Sequence, residues 1–185
     1  KKKELSEDPE QFMNGLCSIM NHAVCHYGKE NKINSMGTTA AMLAFGKENV
    51  YSCNLGDSRI YKISPEGKLG QLSLDHVLGG GRFGKPPLTQ YLGIPEESMG
   101  LEPTIVPQKA EIGTRYLICS DGITDMLSDG EIADILTREI SVSETVELLV
   151  ERALIKGGRD NITVILCELV EQEKSLFGKL LNYFL

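Results

Sequence analysis

The sequence predicts an α+β fold, and three observations predict it. An amphipathic helix opens the chain. A series of short apolar runs broken by turn residues follows, and two capped helical segments then precede one last β-rich run. Asp8 suits an N-cap, Pro9 the first turn, and Gln11 lies three residues after Asp8 as in a capping box. Phe12, Leu16, Ile19, Met20, Ala23 and Tyr27 fall on one helical face, and Gly28 is a natural stop.

Strands are expected over residues 36–45 and 50–55, separated by Gly46-Lys47-Glu48-Asn49. Gly56-Asp57-Ser58 turns the chain into a strand over 59–63, and Ser64-Pro65-Glu66-Gly67 makes a second turn. Such spacing suggests an antiparallel meander. Residues 75–87 hold Gly79-Gly80-Gly81, Gly84 and two prolines, so they read as a surface loop. Residues 101–110 read as extended, and a further strand ends at Cys119. Ser128 with Glu131 forms a capping box for a helix to about Thr137. Ser143 is the expected cap of the next helix, with Val146, Leu149, Val150, Ala153 and Leu154 buried and Gly157-Gly158 ending it. The last strand runs from Ile162 towards Val170. In the tail, residues 171–185, Leu176, Phe177, Leu180, Leu181 and Phe184 share one helical face.

A chain of 185 residues with 41% apolar and 24% charged residues can bury a core of its own. We expect one domain over 1–170 and a separate tail. No apolar run is long enough to span a bilayer. The net charge of -7 argues against nucleic acid as a partner. Five cysteines without a Cys-x-x-Cys pattern fit a reduced, cytoplasmic protein with neither disulfides nor a zinc site.

Three carboxylates share one placement. Asp57, Asp121 and Asp160 each stand where an apolar run meets a turn, with Gly56, Gly122 and Gly158 close by. Side chains so placed can converge at one rim of a sheet, and carboxylate oxygens suit Mg²⁺, Mn²⁺ or Ca²⁺. Two such ions a few Å apart can activate a water towards a phosphoryl group. An Asp in a turn also commonly accepts hydrogen bonds from nearby backbone N–H groups, and spacing alone leaves both readings open. His22 and His26 lie four apart on the first helix without a third ligand, and read as ordinary helix histidines. His76 reads as a surface histidine, and Arg82 and Lys85 as solvated loop charges.

At this point the residues resemble a known family. Gly56-Asp57-Ser58-Arg59, Ser120-Asp121-Gly122 and Gly158-Arg159-Asp160-Asn161-Ile162-Thr163-Val164 stand in the order seen in protein phosphatase 2C-type enzymes, metal-dependent Ser/Thr protein phosphatases. Met36-Gly37-Thr38-Thr39, Leu74-Asp75-His76 and Leu88-Thr89-Gln90-Tyr91-Leu92-Gly93 also look like that family, mostly its bacterial members. The resemblance implies a four-layer α-β-β-α sandwich of two antiparallel sheets flanked by helices. It implies two Mn²⁺ or Mg²⁺ ions, with Asp121 and Asp160 as ligands, and a third ion between Asp57 and Asp121. Gly122 and Asn161 would be supporting residues, Asn161 holding the turn that aims Asp160. A metal-activated water would hydrolyse phosphoserine or phosphothreonine in phosphoproteins, opposing a Ser/Thr kinase. Residues 75–87 match the family's flap.

Family members carry Arg-x-x-Asn-(Glu)-Asp and Asp-Gly-x-Gly-Gly ahead of the first helix, and neither motif occurs here. The expectation is an N-terminally incomplete catalytic domain whose first strands are missing. On its own it should bind metal poorly and turn over little substrate. Exposed strand edges or the tail would then allow dimerisation. The alternative is an inactive regulatory or interaction domain of the same fold.

Overall fold

The first helix shows how a polar anchor can override apolar periodicity. In the computed structural model of the protein, residues 8–79, 85–95, 97 and 100–171 are described. Helix α1 spans Pro9–Glu30, and the Asp8 carboxylate accepts from the Gln11 N–H at 2.9 Å. The helix continues past Gly28, and the left-handed residue is Lys32, with φ 56°. Its buried face is also rotated from the expected one. Met13, Cys17 and Asn21 point inward at successive fourth positions, whereas Ile19 is 69% and Tyr27 56% exposed. Asn21 fixes that orientation. Its side-chain oxygen accepts from the Gly93 N–H at 2.7 Å, and its amide donates to the Ile94 carbonyl at 2.9 Å. Both bonds run to a segment some seventy residues away, beyond the reach of helical periodicity.

The strands form two antiparallel sheets. β1 (Ala40–Phe45), β2 (Asn49–Leu55) and β5 (Thr104–Lys109) lie in the order β1-β2-β5. β3 (Arg59–Ile63), β4 (Leu69–Gln71), β6 (Arg115–Cys119) and β7 (Val164–Glu168) lie in the order β4-β3-β6-β7. β1 starts later than the apolar run suggests. Thr38 instead exchanges two backbone hydrogen bonds with Leu92, at 2.9 and 2.8 Å.

α1 covers the first sheet, packing Met13 and Cys17 on Cys53, Leu55 and Leu92. Helices α2 (Asp121–Thr124), α3 (Asp129–Leu136) and α4 (Val142–Ile155) cover the second, with Ile123, Ile132 and Leu149 against Tyr61 and Leu117. The sheets meet between these layers, where Phe45 of β1 stands edge-on to Tyr116 of β6 at 6.1 Å. Strands so placed are buried on both faces, as Ile60 and Tyr61 are, and this gives near-continuous apolar runs rather than alternation. The four-layer α-β-β-α arrangement is thus the one expected.

α4 corrects one expectation. Its N-cap is Ser141, not Ser143. A capping box needs an acidic or amide side chain three residues on, and Ser141 has Glu144 there, whose carboxylate accepts from the Ser141 N–H at 2.9 Å. Ser143 has Val146 at that spacing. Gly157 and Gly158, both with positive φ, end the helix as expected. The apolar tail lies outside the described residues.

α3 begins at the predicted box of Ser128 and Glu131, and the Lys156 ammonium joins it 2.7 Å from Glu131 Oε2. Lys156 first, then Ser128, hold the Glu131 carboxyl at about 2, below its ordinary 4.5. A depressed carboxyl contributes stability above its unfolded value and loses it as pH falls through the folded one. Thermal midpoints measured from pH 4.5 down to about 2 should therefore fall more steeply for the natural protein than for Glu131→Gln. Parallel curves would show that the box contributes nothing.

Candidate metal centre

Two strand ends are fastened together by backbone before any carboxylate is considered. β6 ends at Cys119, and Ser120 is the N-cap residue of α2. The Ser120 hydroxyl donates to the Asn161 carbonyl at 3.1 Å and accepts from the Thr163 N–H at 3.0 Å. The Ser120 N–H also donates to the Thr163 carbonyl at 3.1 Å. Gly122 lies against the same crossing, so close that a Cβ there would stand 2.4 Å from the Asn161 carbonyl oxygen. Asp121 and Asp160, far apart in sequence, thus come to one place. Within this turn the Asn161 N–H donates to Asp160 Oδ1 at 2.8 Å.

Asp57 approaches from the neighbouring strand. β3 pairs with β6 so that Arg59 faces Cys119, and the β2–β3 turn therefore lies at the rim that carries Asp121. Burial first, and then the Asp121 charge, push the Asp57 carboxyl above the usual range. Behind the turn, Thr39 and Ser58 hydroxyls meet at 2.7 Å. Arg59, the last residue of that motif, binds Asp75 through two of its guanidinium nitrogens, Nε to Oδ1 at 3.0 Å and Nη2 to Oδ2 at 2.7 Å. The Gly-Asp-Ser-Arg and Leu-Asp-His motifs are therefore partners in space.

Lys85 departs from the expected solvated loop charge. Its ammonium donates to Asp121 Oδ2, to Asp160 Oδ2 at 2.9 Å, and lies 3.0 Å from Asp125 Oδ2. Asp121, then Asp160 and Asp125, hold the ammonium well above its ordinary range, and Lys85 lowers the Asp160 carboxyl in turn. Asp125 is a member that motif reading missed. The available signal was its position four after Asp121, one helical turn on. Asp57 is not among the carboxylates that Lys85 bonds. Arg82 lies outside the described residues.

The atoms around the ammonium are carboxylate oxygens only, a donor set whose chemistry suits a hard cation. Mn²⁺ or Mg²⁺ would draw these oxygens closer than an ammonium does, since metal–oxygen bonds run near 2.1 Å. As the side chains stand, no three His, Cys, Asp or Glu among the described residues share a metal's ligand distance.

The remaining candidates are resolved elsewhere in the fold. His22 and His26 rings lie 6.1 Å apart, and His26 Nδ1 is 3.3 Å from Glu30. His76 is not on the surface as expected but 8% exposed. All five cysteines are free thiols. No helix among the described residues is long and apolar enough to cross a membrane.

Comparison with known proteins defines the class. A family model described as Protein phosphatase 2C matches residues 2–156. The protein phosphatase PhpP of Streptococcus pneumoniae is 33% identical over 183 residues, covering 91% of this chain and 72% of that protein. The serine/threonine phosphatase of S. agalactiae superposes with a TM-score of 0.76 at 28% identity, covering 88% of this chain and 71% of that one. The catalytic domain of PstP, solved in complex with two manganese ions, superposes with a TM-score of 0.70 at 32% identity, covering 82% of this chain and 67% of that one. The chain belongs to the protein phosphatase 2C family.

Proposed function

We propose that Asp57, Asp121 and Asp160 hold divalent cations for hydrolysis of phosphoserine and phosphothreonine in proteins. The protein is a metal-dependent Ser/Thr phosphatase of the 2C type, using Mn²⁺ or Mg²⁺ at a two-ion centre. The observation that carries the assignment of Asp121 and Asp160 is their convergence, with Asp125, on the Lys85 ammonium, and Asp57 joins them through the Asp121 charge that it feels at the same rim. When bound, the metal supplies a water activated for attack on phosphorus. The chain's residues set the geometry. Gly122 and Asn161 bring Asp121 beside Asp160, and the β2–β3 turn sets Asp57 at the same rim, where it would share a third ion with Asp121. Phosphoproteins made by a Ser/Thr kinase are the substrates on this reading, and five free thiols support a reduced, cytoplasmic setting.

Calorimetric titration of the complete protein with Mn²⁺, paired with phosphate release from a phosphothreonine peptide, tests the proposal. Saturable uptake, reversed by EDTA and lost in Asp121→Asn, is the expected outcome. Absence of saturable Mn²⁺ uptake, or phosphate release that continues unchanged in EDTA, would overturn it.

A further inference from the structure

The buried histidine beside the Asp57 turn has a job that the metal ligands do not cover. His76 is 8% exposed, and its ring lies between two elements. Nδ1 accepts from the Gly56 N–H at 3.1 Å, and Nε2 stands 2.9 Å from the Thr104 hydroxyl on β5. Because Nδ1 accepts, the proton of the neutral ring sits on Nε2 and is donated to Thr104. The backbone N–H of His76 meanwhile donates to the Gly56 carbonyl at 3.1 Å. One residue therefore grips Gly56 at both its N–H and its C=O. The grip is itself anchored. The Thr89 N–H donates to the His76 carbonyl at 2.8 Å. Asn54, 1% exposed, donates to the Leu74 carbonyl at 2.7 Å and accepts from the Leu74 N–H at 3.2 Å. Gly56 also lies directly over Thr39, where an added Cβ would stand 2.4 Å from Cγ2, so the turn has little room to settle elsewhere.

We propose that His76 is a positioning residue for Asp57. By accepting from the Gly56 N–H, it fixes the turn that presents the Asp57 carboxylate to a cation shared with Asp121. This rests on the reading of Asp57 as a cation ligand. Burial favours the neutral ring, the form that has an acceptor to offer. A ring protonated at Nδ1 would instead set a donor against a donor and release the turn.

The first measurement needs no substitution. Nitrogen-15 shifts of the His76 ring in the full chain should report the Nε2–H tautomer, and an Nδ1–H ring would overturn the proposal. The second follows Mn²⁺ titrations by paramagnetic broadening of amide resonances. His76→Gln keeps a polar contact towards Thr104 but places no acceptor at Nδ1. It should raise the Mn²⁺ concentration that broadens residues 56–58 by about tenfold, the lower end of what losing an outer-shell partner does. The response at residues 160–161 should change by less than about twofold. His76→Asn places a carbonyl near the Nδ1 position and should restore most of the loss. Equal weakening at both loops, or none at residues 56–58, would overturn the positioning role. Asp57→Asn separates the two readings. If it leaves the broadening at 56–58 unchanged, the metal assignment of Asp57 fails and this inference with it. If it weakens broadening there while His76→Gln does not, the inference fails alone.

Discussion

Gly122→Ala should lower stability by about 2 kcal/mol and separate Asp121 from Asp160. The methyl group would meet the Asn161 carbonyl oxygen at 2.4 Å, the Asn161 carbonyl carbon at 3.0 Å and the Ile162 Cα at 3.3 Å. All three are main-chain atoms on the approach to β7, so no side chain can rotate out of the way. Alanine is the better helix former by roughly 1 kcal/mol, but that gain is smaller than the cost of overpacking, about 1–3 kcal/mol and occasionally more. The strain also has a direction. Relieving it pushes the Asp121 turn from the Asp160 turn and stretches the hydrogen bonds of Ser120 to Asn161 and Thr163. Urea unfolding measures the first effect and Mn²⁺ calorimetry the second. A variant as stable as the natural protein would mean that this crossing is not the rigid element described.

In the complete protein, Asp160→Asn should abolish metal-dependent phosphate release and weaken Mn²⁺ binding by at least about 100-fold. Loss of an outer-shell partner alone costs about 10–100-fold, and a direct ligand should cost more. The change preserves shape and removes one charge, so the fold should survive. The Asp160 side chain is 48% exposed, and its ion pair with Lys85 is screened by solvent, so the metal-free melting temperature should move little. Loss of metal affinity with an unshifted metal-free melt is therefore the signature of a ligand rather than of a structural residue. Near-normal Mn²⁺ affinity in the variant would remove Asp160 from the centre.

What could be read in the sequence was local. Asp57, Asp121 and Asp160 stand at strand ends because apolar runs and turn residues mark those ends within a few positions. The α3 capping box was legible for the same reason, as Ser128 and Glu131 are three apart. Features set by distant partners were not legible. Nothing near Asn21 announces that it will bind Gly93 and Ile94, and so the apolar periodicity of α1 chose the wrong face. His76 looks like a loop histidine until β2 and β5 bring Gly56 and Thr104 to its two nitrogens. Lys85 likewise looks solvated, because its three carboxylate partners lie at least 36 residues away. Apolar positions alone start α4 near Ser143, whereas the spacing of Ser141 and Glu144 as a capping box sets the cap two residues earlier.

On the proposed assignment of Asp121 and Asp160, the Lys85 ammonium makes metal uptake at this rim an exchange of cations instead of a simple addition. An ion that takes the Asp121 and Asp160 oxygens has to displace the ammonium. The two events are then linked, and linkage runs equally in both directions. Whatever draws Lys85 away, an anionic group such as a substrate phosphate included, tightens the metal by some factor. A bound metal makes Lys85 available to that anion by the same factor. Loading the centre and freeing a positive charge beside it are one equilibrium.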